Sequence, residues 1–204
     1  TAAIPLWFQL SLTDECRIGV QRALDRSQPG DARDARVRQI MQLYMALGLS
    51  RTFTVGLAPQ ATAAWKKALE IAESLRDAES VLEALWGLWL CQIGISEYRA
   101  ALQTATRYRD LAENAADVAL GDRLVAVPLH CLGDHAQARR YLEPSRGSAS
   151  PDVAPPAGRR FRFDQPLAAG VMLAQMLWLQ GFPDQAKAVA RQELEDARRA
   201  GHSI

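Results

Sequence analysis

The sequence predicts an all-α fold, a stack of antiparallel helical hairpins, and three observations predict it. Apolar residues recur at helical spacing along the whole chain, and no stretch keeps strand-like alternation. Four alanines, Ala68, Ala101, Ala138 and Ala186, open similar segments at intervals of 33, 37 and 48 residues, the range of stacked hairpin repeats. Glycines precede the last two by five residues, in Leu132-Gly133-Asp134-His135-Ala136-Gln137-Ala138 and Gln180-Gly181-Phe182-Pro183-Asp184-Gln185-Ala186.

Helices are expected at about 14–27, 32–48, 60–77, 79–95, 97–115, 118–132, 134–146, 165–180 and 183–200. Asp31 is placed to cap the second helix, Ser96 the fifth and Asp164 the eighth, each offering an oxygen to orphan amides. On the third helix Glu70 and Glu73, followed by Asp77 and Glu79, keep helical spacing and read as a solvated face. The fourth carries Leu85-Trp86-Gly87-Leu88-Trp89-Leu90, whose two tryptophans stand three apart and read as core. In the sixth, Pro128 lacks an amide donor and should kink or shorten the helix at a cost of about 3 kcal/mol. Pro166 and Pro183 suit the first turns of the last two helices. Gly133, Gly181 and Gly201 stand where helices should stop, because glycine accepts the left-handed conformation.

Lining up the two clearer copies by Gly133 and Gly181 separates two helix faces. Four, seven and eight residues ahead lie Leu129, Ala126 and Val125 in one copy, and Leu177, Ala174 and Leu173 in the other. This constant apolar face, with a small central residue, is the packing face. Three, six and ten residues ahead lie His130, Val127 and Arg123, and Trp178, Gln175 and Val171. That face varies between copies, as a groove-lining face would, so these six residues form the candidate groove. Ala101 follows Gly94 by seven residues instead of five, which implies an insertion or a shifted turn. The long last interval holds Pro144, Pro151, Pro155 and Pro156 among Ser and Gly, and residues 144–160 read as a proline-rich surface loop. Because neighbouring repeats bury one another, residues 1–204 are expected to form a single repeat domain.

Composition narrows the function classes. Lys and Arg number 24 against 23 Asp and Glu, a net charge of +1, without the basic excess of a nucleic-acid surface. No apolar run has membrane-spanning length, since Gln92 and Gly94 break the longest. Cys16, Cys91 and Cys131 are too scattered for a disulfide framework or zinc ribbon, which suits a reducing cytoplasm. The first residues, Thr-Ala-Ala-Ile-Pro-Leu-Trp, begin in mid-pattern, and a piece of a longer protein is expected.

Catalytic motifs are missing: there is no phosphate-binding glycine loop with Lys-Ser/Thr, no Gly-x-Ser-x-Gly and no His-Glu-x-x-His. No catalytic, cofactor-binding or metal residue is therefore assigned. His130, Cys131, Asp134 and His135 make the densest polar cluster, but it straddles a turn with no obvious fourth metal ligand and reads as turn chemistry. Arg159, Arg160 and Arg162 beside Phe161 and Phe163 read as a solvated loop end, with an anion or nucleic-acid contact as the other reading.

A set of strings carries a resemblance: Pro5-Leu6-Trp7-Phe8-Gln9-Leu10-Ser11-Leu12, Ala63 to Glu73, Trp86-Gly87-Leu88-Trp89, Leu132-Gly133-Asp134, Ala138 to Glu143, Phe161-Arg162-Phe163-Asp164-Gln165 and Leu177-Trp178-Leu179-Gln180-Gly181-Phe182-Pro183-Asp184-Gln185-Ala186. In that order they resemble the tetratricopeptide-like region of bacterial winged-helix transcriptional regulators with a signal-transducing P-loop ATPase. The resemblance spans almost the whole chain, and related strings accompany ATPase regions of bacterial nucleotide cyclases. It implies a right-handed superhelix of hairpins acting as a cytoplasmic, non-catalytic sensor and protein-interaction module. The implied partners are the regulator's own ATPase and DNA-binding domains and a peptide, protein or small effector, with neither nucleic acid nor membrane bound by this segment. The nucleotide-binding motifs of that family match no position here. The alternatives are a free-standing adaptor or co-chaperone of the same repeats, the helical repeat region of a nucleotide-cyclase-linked ATPase, and an all-helical enzyme or cofactor binder.

Overall fold

The first turn of the chain already shows how its helices are joined. In the computed structural model, which describes residues 3–26, 34–54, 59–147 and 165–199, a short helix α1 (Ile4–Gln9) ends with Ser11 at φ 58°. The Ser11 amide donates to the Phe8 carbonyl and the Leu12 amide to the Trp7 carbonyl, the paired bonds of a Schellman stop. Leu12 then caps α2 (Thr13–Asp25), its carbonyl taking the Cys16 amide.

The same device recurs four times. The helices are α3 (Asp34–Thr54), α4 (Pro59–Ser74), α5 (Ala78–Gly94), α6 (Tyr98–Leu111), α7 (Ala115–Cys131), α8 (His135–Gly147), α9 (Gln165–Leu179) and α10 (Pro183–Arg199). Arg76, Ser96, Gly133 and Gly181 take positive φ after α4, α5, α7 and α9. In each case the next residue donates five positions back, and its carbonyl accepts the amide four positions on, inside the following helix. Five residues beyond each left-handed position stands a buried residue: Cys16, Val81, Ala101, Ala138 and Ala186. A small or medium side chain suits such a buried position close to a turn.

This register corrects three expectations. Ala101 needs no insertion, because the left-handed residue before it is Ser96, five positions ahead, and not Gly94. Ser96 accordingly stops α5 and does not cap α6; Glu97 supplies the carbonyl for the Ala101 amide. Ala68 lies inside α4 with no turn before it, and Val81 holds the equivalent place. Asp77 is also more than a solvated acid. Its carboxylate accepts from the Ser80 amide as the cap of α5 and pairs with Arg38 at 2.8 Å.

Most other helices fall close to expectation, but α3 runs to Thr54, six residues past its expected end. α1 is the addition, too short at six residues to show periodicity. The break between α6 and α7 comes at Asn114, whose side-chain oxygen accepts from the Asp117 amide. Pro128 neither shortens nor ends α7, which continues to Cys131. Lying in the last turn and fully buried, the ring offsets the lost hydrogen bond with packing. α8 continues past Pro144 to Gly147, whereas Asp31, Asp164, Gly201, the Arg159–Phe163 cluster and the rest of the proline-rich segment lie outside the described residues.

The chain folds as two compact units, Thr1–Thr104 and Ala105–Ile204. In the first, α2 packs on α3, α3 on α4 and α4 on α5. Cys16, Val20, Leu43, Ala46, Leu47 and Ala64 form one cluster, against which Trp7 and Phe8 of α1 pack. Trp65, 1 % exposed, lies against two glycines. A Cβ on Gly48 would come within 2.7 Å of its ring, and one on Gly87 would overlap it. Trp86 and Trp89 are buried as expected.

In the second unit α7 packs on α8, α8 on α9 and α9 on α10, and α7 also touches α9. Tyr108, Leu124, Pro128, Leu142 and Met176 are its largest fully buried side chains. Among the described residues no helix is long and apolar enough to cross a membrane.

Candidate functional site

The C-terminal hairpin of the second unit leaves an unusual amount of apolar surface in water. Trp178 is 59 % and Leu179 64 % exposed at the end of α9, and Phe182 in the turn is exposed as well. The turn itself explains this. With Gly181 left-handed, the Phe182 amide returns to Leu177 and the Gly181 amide to Trp178. Leu177 is thereby held inward and Trp178 and Leu179 outward, since successive helical residues are about 100° apart.

Between α9 and α10 runs a cleft of about 450 Å³. Its apolar lining comes from Ala174, Trp178 and Leu179 of α9 and from Ala186 and Ala190 of α10. Gln175, Lys187 and His130, the last reaching in from α7, supply the polar groups. Alanine side chains end at Cβ, so a helix pair lined by three of them stays open where leucines would have closed it.

Of the six sequence-predicted groove residues the cleft takes in three: His130, Gln175 and Trp178. Val171 is exposed, one turn before Gln175. Arg123 and Val127 are buried within α7. Burial lowers the Arg123 pKa from its ordinary value to about 10, against a smaller opposing influence of Tyr108. The mixed composition of this α7 face read as solvent contact, but only its last turn reaches the cleft. The α10 contributors lie on a helix that follows the repeat glycine instead of ending at it, so the comparison of glycine-terminated faces passed them by. Ala186 and Ala190, four apart with Lys187 beside them, were the available signal.

In that last turn of α7, Nδ1 of His130 lies 2.9 Å from Nδ1 of His135, with ring centroids 4.8 Å apart. One imidazole must donate and the other accept. Burial, and secondarily His135, hold the His130 pKa below 6.5. Asp134 accepts from the Gln137 amide at 3.1 Å and so caps α8, while Cys131 is exposed. Among the described residues no group of three His, Cys, Asp or Glu is placed to hold a metal ion.

The first unit has a cleft of similar size, also about 450 Å³, lined by residues of α2, α3 and α4. Its Gln21, Asp25, Arg51 and Lys67 all have partners. Arg51 donates to Gln21 Oε1 and to the Gln60 carbonyl, Gln21 donates to Asp25, and Lys67 pairs with Glu70.

No protein-family profile and no curated protein matches this sequence. Among solved structures the chain is similar to the apo form of RapI, with a TM-score of 0.71 at 11 % identity, over 97 % of this chain and 69 % of that one. At that identity the likeness establishes the fold, an all-helical, tetratricopeptide-like hairpin array, and nothing further.

Proposed function

We propose that the chain is a non-catalytic sensor and protein-interaction module of a bacterial transcriptional regulator. Effector or partner docking in the α9–α10 cleft would bias an adjacent P-loop ATPase, through unequal affinity for its two states. The observation that carries this reading is the cleft itself: a preformed apolar recess beside an exposed tryptophan, on a tetratricopeptide-like scaffold. Solvent-exposed aromatic surface of this kind is characteristic of contact sites. The recurrence of one turn design in both units supports treating residues 1–204 as a single repeat domain. In this reading the module is cytoplasmic, and its partners are the regulator's own ATPase and DNA-binding domains.

The test is made in the intact regulator. Gln175→Ala with Trp178→Ala should leave the protein folded and DNA-bound but abolish the change in reporter transcription on signal. An unchanged response would refute the assignment. Reading the coding sequence immediately upstream supplies an independent check, since a winged helix followed by a P-loop ATPase is required there.

A further inference from the structure

We propose that the α9–α10 cleft binds a small amphiphilic carboxylate, an aromatic or aliphatic acid whose apolar body lies on the lining alanines beside Trp178 and whose carboxylate meets Lys187. This inference rests on the preceding reading of the cleft as the contact site and names the chemistry of what occupies it.

Charge is the first argument. The ionisable groups that line the cleft are Lys187 and His130, and among the described residues no carboxylate lines it. Some surface cations are matched on their own helices, Lys67 by Glu70 and Arg139 by Glu143. Lys187 has no ion pair or hydrogen bond among the described residues. Lys187 is exposed beside this apolar lining, so an acid that rests its apolar body there brings its carboxylate within reach of the ammonium. Gln175 adds an amide N–H for the second carboxylate oxygen, and His130 adds a donor in the tautomer whose Nδ1 accepts from His135.

Shape is the second argument. The volume of about 450 Å³ lies in the range of small-molecule sites, roughly 300–1,000 Å³. The recess is confined to one helical hairpin plus a single side chain from α7, whereas a stable protein partner buries about 1,200 Å² or more. Trp178 and Leu179 give the ligand apolar surface to cover, which is the main source of affinity, and Lys187 then selects the acid. The cleft of the first unit is an internal contrast: its Arg51 and Lys67 already have partners, so an acid would have to displace bonds that exist.

The experiment uses the 204-residue chain with 2-naphthylacetate and its uncharged counterpart 2-naphthylacetamide, titrated by calorimetry. The acid should bind about tenfold more tightly than the amide, in line with a charge-assisted hydrogen bond. Lys187→Ala should erase that preference without changing amide affinity, and Lys187→Arg should retain it. Trp178→Ala should weaken both ligands. Lys187 is exposed, so far-UV circular dichroism serves only to confirm that the variants are folded. Equal affinity for acid and amide, absence of binding by either, or a preference that survives Lys187→Ala would each overturn the proposal. Failure here, combined with loss of signal response in the intact Trp178→Ala regulator, would refute the ligand chemistry and leave the regulatory reading standing. Acid binding combined with a normal response in that regulator would do the reverse.

Discussion

Trp65 of the first unit and Trp178 of the second both sit on helices of a hairpin, yet one is 1 % and the other 59 % exposed. What differs is the opposing surface. Trp65 faces Gly48 and Gly87, whose missing side chains admit the indole between α3, α4 and α5. Trp178 stands one residue after inward Leu177, beside an alanine-lined gap that no side chain of the hairpin fills. Small residues thus do two opposite things in this protein. Placed opposite a tryptophan they close the core, and placed beside one they leave a cleft.

The comparison is broken most severely at the buried member. Trp65→Ala should cost about 3–5 kcal/mol, the range for a large aromatic removed from a core, read from urea unfolding midpoints. Gly87→Ala in the native background should cost about 1–3 kcal/mol by overpacking. In the Trp65→Ala background the same change should become almost neutral, because the ring it meets is gone. A cost independent of Trp65 would show that the contact does not govern that packing.

An intermediate effect is expected at the edge of the cleft, from His130. Burial holds its folded pKa below the unfolded value of 6.5. The unfolded chain therefore binds more protons as pH falls, so the stability contribution is complete above about 6.5 and declines as pH drops through that value. Melting temperatures from pH 8 to pH 5 should fall over that interval, and His130→Asn should flatten the fall. A steeper or unchanged slope in the variant would place the titrating group elsewhere.

The smallest effect sharpens the contrast. Trp178→Ala should change stability by no more than about 0.5 kcal/mol, as at other surface positions, although it removes the same side chain as Trp65→Ala. Unfolding midpoints of the two variants measured side by side decide it. A loss at Trp178 comparable to that at Trp65 would mean that the indole is structural and not an open contact surface.

Much of this architecture was legible along the chain. Helical spacing located nine helices, with most ends within a few residues and that of α3 six short, since amphipathic periodicity is a local property written in consecutive side chains. Gly133 and Gly181 were legible as stops because glycine is the residue that most readily takes positive φ. Ser96 and Arg76 were not, because they occupy the same left-handed position without being the residue that advertises it. The turn geometry there is imposed by the packing of the hairpin, which outweighs a local preference of roughly 1–2 kcal/mol.

The candidate site divides in the same way. His130, Gln175 and Trp178 were legible from the two copies of one helix face, whereas Arg123 and Val127 on that face are buried. Lys187, Ala186 and Ala190 belong to a helix outside that comparison. By itself the sequence determined the helices, most of their ends and the small residues that let them approach, because each depends on neighbours within a turn or two. Only the tertiary structure decided which face of α7 is closed, which alanines meet across α9 and α10, and that an unmatched lysine stands at their edge. Those outcomes depend on residues brought together from separate helices, where volume and desolvation are settled by what lies opposite.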